Sequence, residues 1–424
     1  MILPRELKES GIEWIGKVPK QWLVEKVKFH LVRNEPKNPG NQKVLSVYRD
    51  YGVIPKDSRD DNHNVTSEDT SKYKYVRKGN LVINKMKAWQ GSMGISDYVG
   101  IVSPAYFIYH FIDNKLTPKY LHYLFRNCYR DEFRRISGGI REGQWDLSPV
   151  AFENTLLLLP PYHEQNQIVN YLKSKCAEID TLHADIEEQI KTLEEYKRSV
   201  ISEAVTKGLN PETEMKDSGI EWVGEIPSHW HIHPVYYYFG ERKNKNYRLQ
   251  EQNLLSLSYG KIIRKDINAS GGLLPASFNT YNIVEAGDII IRPTDLQNDK
   301  RSLRTGLVKE RGIITSAYID LMPKGEVNSE YYHYLLHSYD IQKVFYNMGN
   351  GVRQGLNYSE FSKLMIFSPP LNEQKQIADY LNSKCSEIEA IIGNKKEQLE
   401  LLEEYKKSLI YEYVTGKKEV VTNE

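Results

Sequence analysis

Two stretches of the chain carry the same rhythm of hydrophobic and polar positions, in matching places. Leu172, Ile179, Ile186, Leu193 and Val200 fall seven residues apart, and Lys175, Leu182, Gln189 and Tyr196 sit between them. The later stretch repeats this with Leu381, Ile388, Lys395, Leu402 and Leu409, interleaved with Lys384, Ile391, Gln398 and Tyr405. Three-four spacing of this kind predicts two long helices with a coiled-coil seam. Forty residues at ~1.5 Å each give a rod of ~60 Å, which is unstable alone and needs a partner. The simplest partner is the other helix, packed antiparallel, with a globular unit at each end related by a pseudo-twofold axis. Lys and Gln within the seam fit a device that fixes register at some cost in stability. A second apolar line, Ile190 and Leu399 beside Cys176 and Cys385, widens the stripe. It predicts either a thicker core against the globular units or a docking face for further subunits.

Ahead of each helix the pattern changes to short runs rich in β-branched and aromatic residues. Asn80–Asn84, Ile101–His110, Asp288–Ile291 and Ile313–Met322 read as strands. Tyr120–Phe125 and Tyr331–Leu336 read as short helices, and Pro160-Pro161 and Pro369-Pro370 stop the last strand before a long helix begins. The fold class is therefore α+β, with two globular α/β domains and two long antiparallel helices. The expected boundaries are 1–159 and 209–368 for the globular domains, 160–208 and 369–417 for the helices, and 418–424 for a tail.

The periodicity repeats because the chain does. SGIEWIGKVPKQW at 10–22 returns as SGIEWVGEIPSHW at 218–230, with eight of thirteen positions identical. Residues 160–208 return at 369–417 with 25 of 49 positions identical, at an offset of 209. This is a tandem duplication. Between the matching blocks the copies diverge: the residues after the apolar run read NKMKAWQ in one copy and RPTDLQN in the other, and the second carries an insertion at NDKRSLRT. Each copy keeps a scaffold and changes a set of loops. The repeated phrase is expected to fasten the start of each variable region to that scaffold.

Composition alters this picture little. Hydrophobic residues at 40% and charged ones at 27% are those of a soluble globular protein, and a net charge of +1 demands no acidic partner globally. Thirty tyrosines suit cores and half-wet contact surfaces alike. Three cysteines form neither a disulfide framework nor a metal-spaced cluster, and the N-terminal MILPRELKESGIEW lacks a signal peptide's apolar run. With no long apolar stretch, the expectation is a cytoplasmic protein without membrane association.

The chain resembles the specificity (S) subunit of Type I restriction-modification systems. The resemblance rests on the duplicated SGIEWxGxxPxxW, INKMKAWQGS…GIVSPAY at 83–106, PPxxEQxxIxxYLxxK at the helix starts and LEEYK(R/K)S near their ends, and it covers essentially the whole chain. It implies two target-recognition domains, each reading one half of a split site in double-stranded DNA, and a subunit with no chemistry of its own. The implied partners are two methyltransferase (M) subunits, which bind S-adenosylmethionine and methylate adenine at N6, and two restriction (R) subunits. No cofactor is expected on this chain.

The choice of DNA-contacting residues rests on chemistry. One loop offers Lys85, Lys87, Trp89, Gln90 and Ser92, combining cations for phosphates, an amide that can pair with adenine, and an aromatic ring. Its counterpart offers Arg292, Thr294, Asp295, Gln297, Lys300, Arg301 and Arg304. A second pair of loops offers Arg141 and Gln144 in one copy and Arg353, Gln354 and Asn357 in the other, beside glycines that let the backbone approach closely. The bland reading is that these are ordinary solvated loops with structural glycines. Catalytic signals are weak. Leu159-Pro-Pro-Tyr162 and Ser368-Pro-Pro-Leu371 each satisfy only one end of an amino-methyltransferase motif, and no phosphate loop is present. Glu241-Arg-Lys243 lacks the Pro-Asp of a nuclease, and His229, His231 and His233 have no counterparts in the first copy to form a shared metal site. A stand-alone adenine methyltransferase and a coiled-coil scaffold without a DNA role are the alternatives.

Overall fold

The structure, a computed structural model, describes residues 5–49, 51–58, 66–67, 69–139, 145–268, 275, 277–294, 296, 303–346, 348 and 355–421. The chain divides into two compact units: residues 1–186 with 397–424, and residues 187–396.

The first unit is built on a four-stranded antiparallel sheet ordered Leu31–Arg33, Tyr106–Phe111, Leu81–Asn84, Met93–Ile95. The second repeats it with Phe239–Glu241, Ile319–Pro323, Ile289–Ile291 and Thr305–Leu307. The central strands, LVIN and III, are buried on nearly every residue, as strands covered on both faces must be. The expected strand Ile101–His110 is in fact two: Gly100–Val102 pairs with Lys74–Val76, and Tyr106–Phe111 joins the sheet. Ser103-Pro104-Ala105 turns between them, because proline cannot donate to a ladder. The second copy breaks at the same place, between Gly312–Ile314 and Ile319–Pro323.

The short helices Pro118–Cys128 and Ser329–Ile341 pack their tyrosines inward. Tyr120 Oη donates to the Val414 carbonyl at 2.9 Å, Tyr129 Oη to Leu156 at 2.8 Å and Tyr339 Oη to Met365 at 3.0 Å. These three tyrosines are core residues whose hydroxyls satisfy carbonyls. All three cysteines are free and buried, and burial pushes the Cys128 thiol up to about 12.

The long helices run Tyr162–Lys207 and Leu371–Val414. Their antiparallel pairing is visible inside each unit, where the partner's number falls as the helix advances. In the first unit Tyr171 faces Tyr413, with ring centroids 4.5 Å apart, and Asp180 pairs with Lys406 at 2.5 Å. In the second, Gln189 accepts from Lys395 and Glu389 pairs with Lys197, both at 2.5 Å.

One expected line of the seam is corrected. Leu172, Ile179, Ile186, Val200, Leu381, Ile388 and Leu409 are buried as predicted, but Leu182, Tyr196, Ile391 and Tyr405 are 49, 55, 39 and 54% exposed. The line four residues on, Cys176, Cys385 and Ile392 with half-buried Ile190 and Leu399, lies inside instead. In an α-helix a step of four turns the side chain by ~40° and a step of three by ~60° the other way, so either can flank the first line. Here the partner helix and the sheet domains cover the former.

Candidate nucleic-acid interface

The repeated phrase builds the base on which the candidate loops stand. Its last residue, Trp22 or Trp230, is fully buried. Trp22 Nε1 donates to Glu164 Oε2 at 3.0 Å, and Trp230 Nε1 to Glu373 Oε1 at 3.1 Å. These carboxylates are the Glu of PPxxEQ in each copy. The adjacent glutamines close the other side. Gln165 accepts from Thr117 N at 2.7 Å and donates to the Pro160 carbonyl at 2.8 Å, and Gln374 accepts from Asn328 N and donates to Pro369, both at 2.9 Å. Each long helix then ends against the phrase: a Cβ on Gly416, at φ +72°, would lie 2.5 Å from Pro19 Cδ, and one on Gly208, at φ +75°, 3.4 Å from Trp230.

In the first unit the two candidate loops meet. Leu147 N donates to the Lys85 carbonyl at 2.8 Å, and Lys85 Nζ reaches Asp146 at 3.0 Å. Trp89 lies 5.9 Å from Trp145, centroid to centroid, and the Arg134 guanidinium sits over both rings at 5.8 and 5.9 Å. A cation held against two indoles is pre-oriented for a phosphate or a guanine edge. Arg134 was missed from the sequence, and Trp145, the last residue of the candidate loop 137–145, was not singled out in it. The signal available was the aromatic closing that loop and an arginine in the last turn of helix Arg130–Arg135. Lys87 is exposed and Gln90 half-exposed on the short turn Ala88–Gln90. Ser92 is corrected: it is buried, and its hydroxyl donates to the Val47 carbonyl at 3.1 Å. Arg141 and Gln144 lie outside the described residues.

The second unit brings its loops together through the equivalent bond, Leu356 N to the Pro293 carbonyl at 3.0 Å. Thr294 is exposed and Arg292 half-exposed. Arg304 is corrected: it is wholly buried, its Nε donates to Tyr346 Oη at 2.9 Å and its Nη1 to the Thr294 carbonyl. Tyr346 Oη donates in turn to Asp340 at 3.0 Å and receives Lys343 Nζ at 2.9 Å. Burial raises the Asp340 carboxyl above its ordinary range. Arg304 therefore pins the loop from within instead of offering its charge to a phosphate. Asn357 is exposed, but its side chain caps helix Tyr358–Phe361, accepting from Glu360 N at 3.0 Å while Glu360 returns the bond. Asp295, Gln297, Lys300, Arg301, Arg353 and Gln354 lie outside the described residues.

His229 Nε2 contacts Glu373 at 2.8 Å, and among the described residues no three His, Cys, Asp or Glu gather as a metal would require. Among the described residues no helix is long and apolar enough to cross a membrane.

Two regions, 32–192 and 279–401, match the family model described as Type I restriction modification DNA specificity domain. The chain belongs to this family. It is 25% identical over 435 aligned residues to a putative Type I restriction enzyme MjaX specificity subunit of Methanocaldococcus jannaschii, with 96% of each chain covered. It is 27% identical over 285 residues to the MjaVIII specificity subunit of the same organism, with 63% of each covered. The fold is similar to a chain of a solved Type I R-M system (TM-score 0.69, 15% identity, 95% of this chain and 99% of that one). It is also similar to the HsdS subunit from Thermoanaerobacter tengcongensis (TM-score 0.55, 14% identity, 95% and 98%). As a specificity subunit the chain is a non-catalytic, DNA sequence-recognising component, and the two matched regions fall one in each copy of the repeat.

Proposed function

We propose that each unit reads one half of a bipartite, asymmetric site in double-stranded DNA, and that the long helices dock two methyltransferase subunits. Those subunits methylate adenine at N6, and two restriction subunits join them for cleavage. The chain carries no cofactor of its own; S-adenosylmethionine binds the methyltransferase partner. The observation that carries this reading is the convergence of two loops in each unit through matching backbone bonds, Leu147 to Lys85 and Leu356 to Pro293, while the side chains around them differ. A shared frame with unlike side chains suits two half-sites of unlike sequence. The first reads with Lys85, Lys87, Trp89, Gln90, Trp145 and Arg134, the second with Arg292 and Thr294.

Methylome sequencing of a host expressing the chain with its methyltransferase partner tests this. A single split motif with unlike halves is expected, and the absence of any motif dependent on this chain overturns it. Incubated alone with labelled S-adenosylmethionine and DNA, the purified chain should transfer no methyl group.

A further inference from the structure

In the second unit the backbone of Arg292-Pro293-Thr294, which carries both proposed reading residues, is held at three successive positions. Arg292 N donates to the Arg304 carbonyl at 2.8 Å, Leu356 N to the Pro293 carbonyl at 3.0 Å, and Arg304 Nη1 to the Thr294 carbonyl. The first two bonds recur in the first unit, from Asn84 N to Ser92 at 3.0 Å and from Leu147 N to Lys85 at 2.8 Å. The third carbonyl is held there too, at the same offset of 208, but by a different group: Met86 accepts from Trp89 Nε1 at 3.2 Å. Contacts that seat the scaffold, such as Trp22 with Glu164 and Trp230 with Glu373, use the same residue types in both copies. A contact that changes along with the loops is suited to what differs between half-sites.

The closing group of the second unit is itself fixed. Tyr346 Oη accepts from Arg304 Nε and from Lys343 Nζ, both at 2.9 Å, and donates to Asp340 at 3.0 Å, which uses everything a phenol offers. The other Asp340 oxygen takes Arg304 N. Burial, with Asp340 alongside, pushes the Tyr346 phenol up to about 12, so it keeps the proton it donates. Arg304 thus spans from this hub to the Thr294 carbonyl with two nitrogens of one planar group, a reach that the single nitrogen of lysine lacks. Base readout needs side chains placed to within about 0.5 Å, whereas a cation without that placement still attracts phosphates of any sequence. Resting on the reading of the chain as a DNA specificity subunit, we propose that Arg304, Tyr346 and Asp340 are positioning residues for one half-site. All three are buried. Through the Thr294 carbonyl they set the frame from which Arg292 and Thr294 meet the bases, without touching DNA themselves.

The test uses the full chain co-purified with its methyltransferase partner, carrying Tyr346→Phe, Arg304→Lys or, as a control, Tyr339→Phe. Tyr339 lies in the same unit and is also buried, but its hydroxyl donates to Met365, in the strand Met365–Ser368 and not in the loop. Binding is measured to a duplex bearing the methylome-defined site, to duplexes with single base changes in either half, and to unrelated DNA. A wrong base costs the unmodified complex roughly tenfold or more. With Tyr346→Phe or Arg304→Lys, a wrong base in one half should cost less than about threefold. The other half and unrelated DNA should behave as before, and the methylated motif should become degenerate in that one half. Full discrimination in Tyr346→Phe, a loss in both halves, or an equal loss in Tyr339→Phe overturns the proposal. Where the two test variants differ, Tyr346→Phe, which removes one oxygen, decides. If it also melts early, the comparison with Tyr339→Phe separates lost positioning from lost stability. An unmodified complex that prefers no sequence defeats the specificity reading itself; a selective complex whose variants stay selective defeats only the positioning role.

Discussion

Glu164 and Glu373 begin the Glu-Gln dipeptide that recurs in both copies. Each carboxylate is largely buried and accepts an indole N–H from the phrase some 140 residues earlier. Trp22→Phe or Trp230→Phe leaves that oxygen short of a donor, although Arg5 still reaches Glu164 and His229 still reaches Glu373. A loss of ~1–3 kcal/mol is expected, measured by denaturant unfolding of the full chain. Gly416→Ala should cost more than Gly11→Ala. Both positions have positive φ, but only at 416 does the new methyl meet Pro19 and Trp22, whereas nothing lies within 4 Å at Gly11. A third residue carries a pH signature. Burial, with Asp288 alongside, pushes the Asp320 carboxyl up to about 8. The unfolded chain releases this proton near pH 4, so between about 4 and 8 the folded state binds more protons and this group's contribution to stability falls as pH rises. Melting of Asp320→Asn at pH 5.5 and 8 should show a smaller drop than the unmodified chain; an equal drop would mean that Asp320 does not titrate there.

At the scale of elements, the long helices were legible because their period recurs, but the line facing the partner was not. The three-four and four-three readings share Leu172, Ile179 and Ile186, and only packing chooses between them. Ile179→Ala should cost ~2 kcal/mol or more, as buried large-to-small changes do. Leu182→Ala, three residues on and half exposed, should stay within ~0.5 kcal/mol; thermal melts of the two variants compare them directly. The loops divide in the same way. That 85–92 and the stretch before 147 act together was visible only as parallel divergence between copies, because the bond joining them links residues 62 positions apart. Ser92 and Arg304 looked like surface chemistry because serine and arginine usually are. Their partners, Val47 in one case and Tyr346 with Asp340 in the other, lie too far along the chain for local pattern to reveal.

For the whole molecule, the duplication makes the variable regions exchangeable on a fixed frame. Residues 23–159 begin after Trp22 and end before Pro160 and Gln165, so the Trp22–Glu164 and Gln165–Pro160 bonds are left in place, while the incoming region must remake the bonds that Thr117 and Tyr120 make to Gln165 and Val414. Replacing them with another variable region should change one half of the methylated motif and leave the other intact; a change in both halves would refute independent reading. The division of the chain also sets an order in time. The second unit is one unbroken stretch, 187–396, whereas the first needs residues 397–424 to finish its core, down to the Val414 carbonyl that receives Tyr120. A ribosome delivers these residues only after the whole of the second unit. The unit that begins first can therefore be completed only after the residues of its twin have all been made.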